Sequence, residues 1–572
     1  MFDALFTTTT EYKKLSHALS GKGACALFGL PASGRAQVYA ALCRQLDKPL
    51  CIVTPGEAEA TRFAADLNTL GIPAAVFPAR DYVLRPIEGT PREYEYRRLA
   101  VLGELVGGRL RAVAVPAEAL TQFTTPKEDF CANTRTLHAG DTLLRDDLLA
   151  ALFGAGYTRR AQVDGPGQFS VRGDIVDIFA PDQKMPVRME FWGDEIDTLH
   201  TFDLTTQRRE DAIDKFYLSP AREVLFGKPA DAAEQLRAFL AKQRGKKKTA
   251  MADCMAADLD LLDGGAVPVN MDKYLVVRYP HPATVLDYFD DPILVAEEPA
   301  SIREADRATA YRRGEELKSL ILDGVLCAGL DNLYADPSYL WSKTGHYRTI
   351  CAENFARSMP DQPLKDIVNA PAHTLPAWNG EVAGLLEDLK PLCDAGYTVT
   401  LLAGTDRAAA GLARDLRDKG ILVTTDAAAA PAAGLVQVLA GHLSAGCEFP
   451  FAKYALLTGR AFGETSSQKK KRKKAKDALN SLTEITPGDL VVHQNHGIGR
   501  YAGIQRMAVQ GVTKDYLRIE YDKKDVLYVP VTQLDLLSRY TAPGDEEKVK
   551  LAKLGGAEWQ RTRYRADGQG TD

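Results

Sequence analysis

The sequence predicts a multidomain α/β protein: a parallel α/β domain interrupted by an α+β insert, a second small α/β domain, and a small all-β barrel. Three observations carry this. Short apolar strands alternate with amphipathic helices near the start and again over 370–460, the rhythm of βα units on a parallel sheet. The hydrophobic period falls to two over 169–192, as in half-buried strands. Several short alternating strands then crowd into 484–545, as in a small barrel. A length of 572 residues suits about three to five domains at roughly 100–200 residues each.

Composition narrows the function classes. Hydrophobic residues make up 45% and charged residues 26%, enough for several cores. A net charge of -5 excludes a uniformly basic nucleic-acid coat but leaves room for a local basic patch. No apolar run reaches membrane-spanning length, and the MFDALFTTTTEYKKL start lacks a secretory h-region. The 9 cysteines are scattered without a CxxC pair, which favours reduced thiols in a cytoplasmic protein over zinc ligands.

The first segment, 1–130, places strands at Ala24–Phe28, Leu50–Thr54, Ala74–Phe77 and Arg111–Val115, with helices at Arg35–Leu46 and Glu57–Leu70. The insert, 131–215, reads as strands over Phe169–Phe179 and Val187–Trp192 joined at Pro181-Asp182 and Gly193-Asp194. Segment 216–335 returns to helices plus one strand, Ile293–Glu298, so the first domain resumes there. Segment 336–460 is the second α/β domain, with strands at Tyr397–Ala403 and near Ile421, and a helix at Asp406–Lys419. SSQKKKRKKAK (Ser466–Lys476) lies in an expected flexible linker, 461–483. The barrel occupies 484–545, and 546–572 reads as the start of a helix that breaks off near Gly568-Gln-Gly570.

Gly29-Leu-Pro-Ala-Ser-Gly34-Arg35-Ala36 sits between a strand and a helix, where a phosphate loop belongs. A working loop needs GxxxxGK[ST], its lysine on the β/γ-phosphates and its hydroxyl on Mg²⁺. Arg35 replaces the lysine, and Ala36 has no hydroxyl. The structural reading, a tight strand-to-helix turn, is preferred. Ile293–Glu298 has the shape of a Walker B strand, but Ala296 stands where the metal-binding Asp belongs, followed by Glu297 and Glu298. Asp194-Glu195-Ile196-Asp197 matches DExD by letters, yet follows a strand and a turn in the insert. His493 and His496 lack further ligands, and no catalytic residues and no metal site emerge. Binding is the better default. Arg172 and Arg188, on adjacent strands, and Trp192 are candidates for an exposed Arg-aromatic patch, of the residue types enriched at interface centres. Two surface charges and a core Trp fit the pattern about equally well.

Gly167–Phe179, Arg188–Asp197 and Phe202-Asp203 resemble the UvrB-homology module. Gly488–Tyr501 and Tyr528–Val531 resemble the CarD-type RNA-polymerase-interacting domain. In this order on one chain they resemble the N-terminal half of bacterial transcription-repair coupling factor, up to about Arg565. That resemblance implies a UvrB-like parallel α/β domain with a degenerate nucleotide loop at Gly29, Gly34, Arg35 and Ala36, and no DNA-threading hairpin within 80–98. It implies UvrA contacts at Arg172, Arg188 and Trp192, the last position often Phe in the family. It implies a Tudor/SH3-like barrel binding the RNA polymerase β subunit by strand addition at Gln494–Arg500, with Gln494, Ile498 and Arg500 as contacts. ATP, Mg²⁺ and most DNA contact belong to the family's C-terminal motor. None of its motifs occurs here, so the chain reads as a fragment or truncated product without cofactor.

The leading expectation is therefore a repair adaptor joining stalled polymerase to UvrA. The competing readings are the front part of an ATP-driven DNA translocase and a stand-alone CarD-like transcription regulator. Without the motor half, Arg172 and Arg188 are both expected to be exposed.

Overall fold

The computed structural model describes residues 6–86, 92–355, 362–378, 382–459, 488–493, 497–509, 512–522, 525–530 and 537–539. The chain divides into two compact units, Met1–Gly459 and Arg460–Asp572. The basic linker, the terminal helix and residues 87–91 of the expected hairpin position lie outside the described residues. Described residues 77–86 contain no strand.

The first unit is built on a seven-stranded sheet, all of whose pairs are parallel. Its order is Leu364–Asn369, Gly23–Phe28, Arg348–Glu353, Ile293–Glu297, Leu50–Thr54, Ala112–Pro116, Ala74–Val76. Leu50–Thr54, Ala112–Pro116 and Ile293–Glu297 are buried throughout. Near-continuous runs of Val, Ile, Leu, Ala and Cys suit strands covered on both faces. One face packs Leu42, Ile52, Phe63 and Val295; the other packs Val53, Leu99, Leu102 and Leu294.

The boundary expected at 335 moves. Arg348–Glu353 lies between Gly23–Phe28 and Ile293–Glu297, and Leu364–Asn369 forms the sheet edge, so the first domain continues to about residue 370. The parallel crossover from the Pro299–Leu322 helix returns the chain to the middle of the sheet.

The insert holds a six-stranded sheet, ordered Arg209–Ala212, Glu195–Phe202, Val187–Trp192, Ile175–Phe179, Gln168–Arg172, Thr158–Arg159. Its apolar face, with Phe169, Val176, Ile178, Met189, Phe191 and Leu199, packs on the Arg145–Gly154 helix through Leu148 and Leu152. A two-stranded ladder of Arg135–His138 with Lys215–Leu218 closes the insert, beyond the expected end at 215.

The small α/β domain has six strands, ordered His373–Leu375, Gly446–Phe449, Tyr454–Thr458, Thr398–Leu402, Val436–Leu439, Val423–Thr424. It packs on the first sheet's helices. Phe449 meets Phe6 edge-on at 4.9 Å, and the Asp66 carboxylate accepts from Ser444 N at 2.8 Å and Oγ at 2.6 Å.

The second unit carries a five-stranded antiparallel sheet, ordered Val526–Pro530, Val512–Glu520, Gly497–Val509, Leu490–His493, Leu537–Arg539. Leu517 and Ile519, which alternate along one strand, and Tyr521 just past its end are all buried, as the period of two requires.

A buried ionic cluster ties the insert's return to the body. Arg98, fully buried, grips Glu223 with Nε to Oε1 at 2.6 Å and a second bond at 3.2 Å. Arg80 donates to Asp272 at 2.7 and 3.2 Å and reaches Glu223 at 3.2 Å. Glu95 accepts from Glu223 N at 3.0 Å and from Arg92 at 2.8 Å. Burial raises the Glu95 carboxyl, but Arg80, Arg222 and Arg92 outweigh it and hold the pKa at about 2, below its usual 4.5. A depressed folded pKa contributes stability above the unfolded value, lost as pH falls through the folded one. Acid unfolding of the first unit is expected between about pH 4.5 and about 2. Glu95→Gln should remove about 3 kcal/mol of neutral-pH stability and flatten that slope, checked by urea titration across pH.

Candidate functional site

The candidate phosphate loop is closed by its own side chains. Gly29 has φ 88°, and the helix Ala32–Leu46 begins directly after Pro31. Arg35 is buried at 3% exposure and points to the end of the Ile293–Glu297 strand. Its Nε lies 3.0 Å from Glu297 Oε2, and its NH1 donates to Glu298 Oε1 at 2.8 Å. Tyr39 OH donates to Glu297 Oε1 at 2.5 Å. The acids that follow the Walker-B-shaped strand are thus partners of the arginine that replaced the lysine. Glu298 takes up a left-handed conformation, φ 53°, costly for a residue with a Cβ. There its carboxylate also accepts from Asn354 N at 3.2 Å.

Neighbouring elements fill the rest of the loop. A Cβ on Gly34 would lie 2.9 Å from Cys447 Sγ and 3.4 Å from the Phe449 ring. A Cβ on Gly29 would meet Asn369 and the Ala370 carbonyl at 2.9 and 3.1 Å. Both glycines are therefore needed for close protein packing. Ala36 is fully buried.

In the insert, the sheet face opposite the apolar core is polar. Register puts Asp177 opposite both Ser170 and Arg188, so Arg172, Ile175, Asp177, Arg188, Glu190 and Trp192 share that face. Asp177, fully buried, accepts from Arg188 Nε at 2.7 Å and NH2 at 2.9 Å, and from Arg172 NH2 at 2.6 Å. Glu190 pairs with Arg209 and accepts from Thr198 Oγ1.

The three candidate residues differ sharply in exposure. Trp192 is 82% exposed and Arg172 is exposed, but Arg188 is buried at 9%, its guanidinium 4.8 Å from the Phe202 ring centre. The expectation that both arginines are exposed fails for Arg188. A fully buried carboxylate draws in the nearest guanidinium to offset its own desolvation. Trp192 is not the core residue that the pattern equally allowed. Asp177 is the member that the sequence reading passed over. Its signal was an acid on the middle strand of three, flanked by an arginine on each neighbour.

In the five-stranded sheet, Gln494 lies outside the described residues. Ile498 pairs with Val492 and is half-buried; Arg500 is exposed, with NH1 donating to Gly488 O at 2.9 Å. The expected strand addition at 494–500 meets a geometric obstacle. Gly497–Val509 is an inner strand, paired with Leu490–His493 and with Val512–Glu520. Among the described residues the sheet edges are Val526–Pro530 and Leu537–Arg539. Tyr528, on the first of these, is exposed and donates to Gln505 Oε1 at 3.2 Å.

Among the described residues no group of three or more His, Cys, Asp or Glu is placed to hold a metal, and no helix is long and apolar enough to cross a membrane. Burial raises the Glu297 carboxyl above 4.5, only partly countered by Arg35 and Tyr39. A raised folded pKa gives stability that is full below the unfolded value and lost as pH rises. Arg35→Ala, which strips the main counter-charge, is therefore expected to cost about 3–5 kcal/mol at neutral pH. The deficit should shrink towards pH 4, read by chemical denaturation at both pH values.

Residues 136–224 match the UvrB interaction domain family, and residues 485–541 match the CarD-like/TRCF RID domain family. The chain is 29% identical over 556 residues to the transcription-repair-coupling factor of Bacillus subtilis, covering 95% of this chain and 47% of that protein. The Staphylococcus haemolyticus factor is 27% identical, with 94% and 46% covered, and a Staphylococcus aureus factor is 26% identical over the same shares. The chain spans about half the length of the curated relatives it matches. The resemblance to the N-terminal half of transcription-repair coupling factor, drawn from two motif blocks, thus holds across 95% of this chain.

Proposed function

We propose that this chain is the docking portion of a cytoplasmic transcription-coupled nucleotide excision repair factor, holding stalled RNA polymerase by its β subunit and recruiting UvrA. The observation that carries this is the presence of a UvrB interaction domain and a CarD-like/TRCF RID domain on one chain. The UvrB interaction match argues against a stand-alone CarD-like regulator, which has no use for a UvrA surface.

UvrA docks on the polar face of the insert sheet. Trp192 and Arg172 make the contact: an exposed aromatic and an exposed guanidinium on one sheet face have the composition of interface centres. Arg188 acts as a positioning residue, neutralising Asp177 so that Arg172 keeps donors for a partner. Polymerase docks on the five-stranded sheet, a small barrel in our reading. Arg500 and the exposed strand edge at Val526–Pro530 serve a main-chain pairing mode better than the inner stretch 494–500.

The closed loop supports a chain that needs neither ATP nor Mg²⁺ for docking. Its residues do not fit a nucleotide. Arg35 is committed to Glu297 and Glu298, Ala36 offers no ligand, and Cys447 and Phe449 stand against Gly34. Translocation on DNA belongs to the remaining length of the relatives.

In binding assays with the whole chain, Arg172→Glu and Trp192→Ala are each expected to weaken UvrA by ~10-fold or more while leaving polymerase β-subunit affinity unchanged. Arg500→Glu with Tyr528→Ala should show the opposite pattern. Loss of neither interaction in folded variants would defeat the assignment. As Arg35 holds structure only, neither affinity should respond to added ATP and Mg²⁺.

A further inference from the structure

A cavity of about 270 Å³ lies beside the long helix Pro299–Leu322 of the first domain. Within that helix Ile302, Asp306, Arg313 and Leu320 are buried, spaced for one helix face. Two of these four positions carry charge where the pattern calls for apolar residues. Asp331 and residues 334–337 form another wall of the cavity. That wall is fixed by the bond from Ala335 N to Thr121 O at 2.7 Å and by a bridge between Tyr334 and Gln122.

The two buried charges are satisfied unequally. Arg313 is engaged by its surroundings. Its NH1 donates to Thr121 Oγ1 at 2.8 Å, its NH2 donates to Glu118 O at 2.8 Å, and its guanidinium lies 4.0 Å from the Tyr334 ring centre. Asp306 is only 6% exposed and makes no hydrogen bond or ion pair with the described residues. Burial lifts its carboxyl to about 6, and Arg313 opposes this only at longer range. A buried carboxylate without a partner is costly, and a cation entering the cavity would complete it.

The rest of the lining narrows the kind of cation. Asp331 Oδ1 accepts from Gly329 N at 2.7 Å, and Asp336 Oδ1 from Ser338 N at 2.8 Å, so each gives one oxygen to a turn. Three carboxylates against one guanidinium leave the cavity lining with a net charge of -2. Among the described residues no three acids are placed to share a metal ion, so this charge is spread and not focused. Leu317 and Ala310 supply apolar surface between the charged groups. The volume is at the small end for a ligand site.

We propose that this cavity binds an aliphatic diamine or polyamine, with one ammonium group on the Asp306 carboxylate, its methylene chain along Leu317 and Ala310, and a second ammonium on the wall that holds Asp331 and Asp336. Two charges separated by a thin apolar stem match a lining that is acidic, spread and narrow. A phosphate or other anion would meet the wrong sign. None of these residues belongs to the insert's polar face or to the five-stranded sheet, so the site is separate from both docking surfaces.

The test is calorimetric titration of the whole chain with cadaverine, expected to show one saturable site. Asp306→Asn keeps the shape and removes the charge, and should weaken binding about 10-fold or more. Ala310→Leu fills the cavity without touching a charge and should weaken it as much. N-acetyl-lysine amide carries the same alkylammonium without a second charge, and should bind about 10-fold more weakly than cadaverine. Arg313, Asp331, Asp336 and the Tyr334 hydroxyl line the cavity with Asp306, and of these groups Asp306 is the one that titrates near pH 6. Binding needs its ionised form, so affinity should fall as pH drops through about 6. Absence of saturable binding by the folded chain would overturn the proposal. So would binding that Asp306→Asn leaves unchanged. Equal affinity for N-acetyl-lysine amide would overturn the polyamine assignment in favour of a lysine side chain from a partner protein. The wild-type titrations need no variant, so a misfolded variant leaves the test intact.

Discussion

One buried guanidinium fixes the character of the first domain. Arg35 enters the space where a nucleotide-binding lysine would stay mobile, and binds two carboxylates there. A buried charge with excellent partners is costly to disturb, because removing one side strands the other. The result is a strand-to-helix turn held by buried ion pairs. The second domain packs on the turn at Gly34, where Cys447 and Phe449 stand close to the backbone. The loss of the lysine, the capture of the acids and the arrival of Cys447 and Phe449 are one arrangement.

The insert uses the same chemistry to the opposite end. Asp177 is also a buried carboxylate, but it is shared by two arginines on flanking strands. Arg188 gives both its Nε and NH2 to the acid and sinks with it. Arg172 gives one nitrogen and stays exposed. Two cations on one anion leave that group of three with an excess positive charge held at a fixed point on the sheet. A pre-positioned guanidinium loses less side-chain entropy on binding than a free one, which suits it to an interface.

Much of this was legible in the sequence. The parallel rhythm of Cys25–Phe28 and Leu50–Thr54, the insert's period of two and the tight strand-to-helix turn at Gly29–Ala36 were all visible as local pattern. Three things were not. Arg348–Glu353 belongs to the first sheet because of a crossover, and crossovers leave no mark on a strand's own composition. Arg188 is buried because Asp177 faces it across a ladder, and periodicity alone treats every outward position as exposed. The inner position of Gly497–Val509 depends on strand order, which alternation does not specify. Each is a long-range pairing, whereas sequence pattern reports local preference.

Buried charge is arranged differently in the body and in the insert. In the body, Arg80 and Arg98 pair with Glu223 and Asp272, Arg92 and Arg222 help to hold Glu95, and none of these carboxylates is exposed. That cluster clamps the segment at which the chain leaves the insert, so the insert's polar face is held by a fixed root. In the insert, Arg172 and Arg188 share the single carboxylate of Asp177, and Arg172 is exposed on the same sheet face as Trp192. A carboxylate enclosed by its own arginines in one place and a carboxylate shared between a buried and an exposed arginine in another are two uses of the same arginine-carboxylate pair.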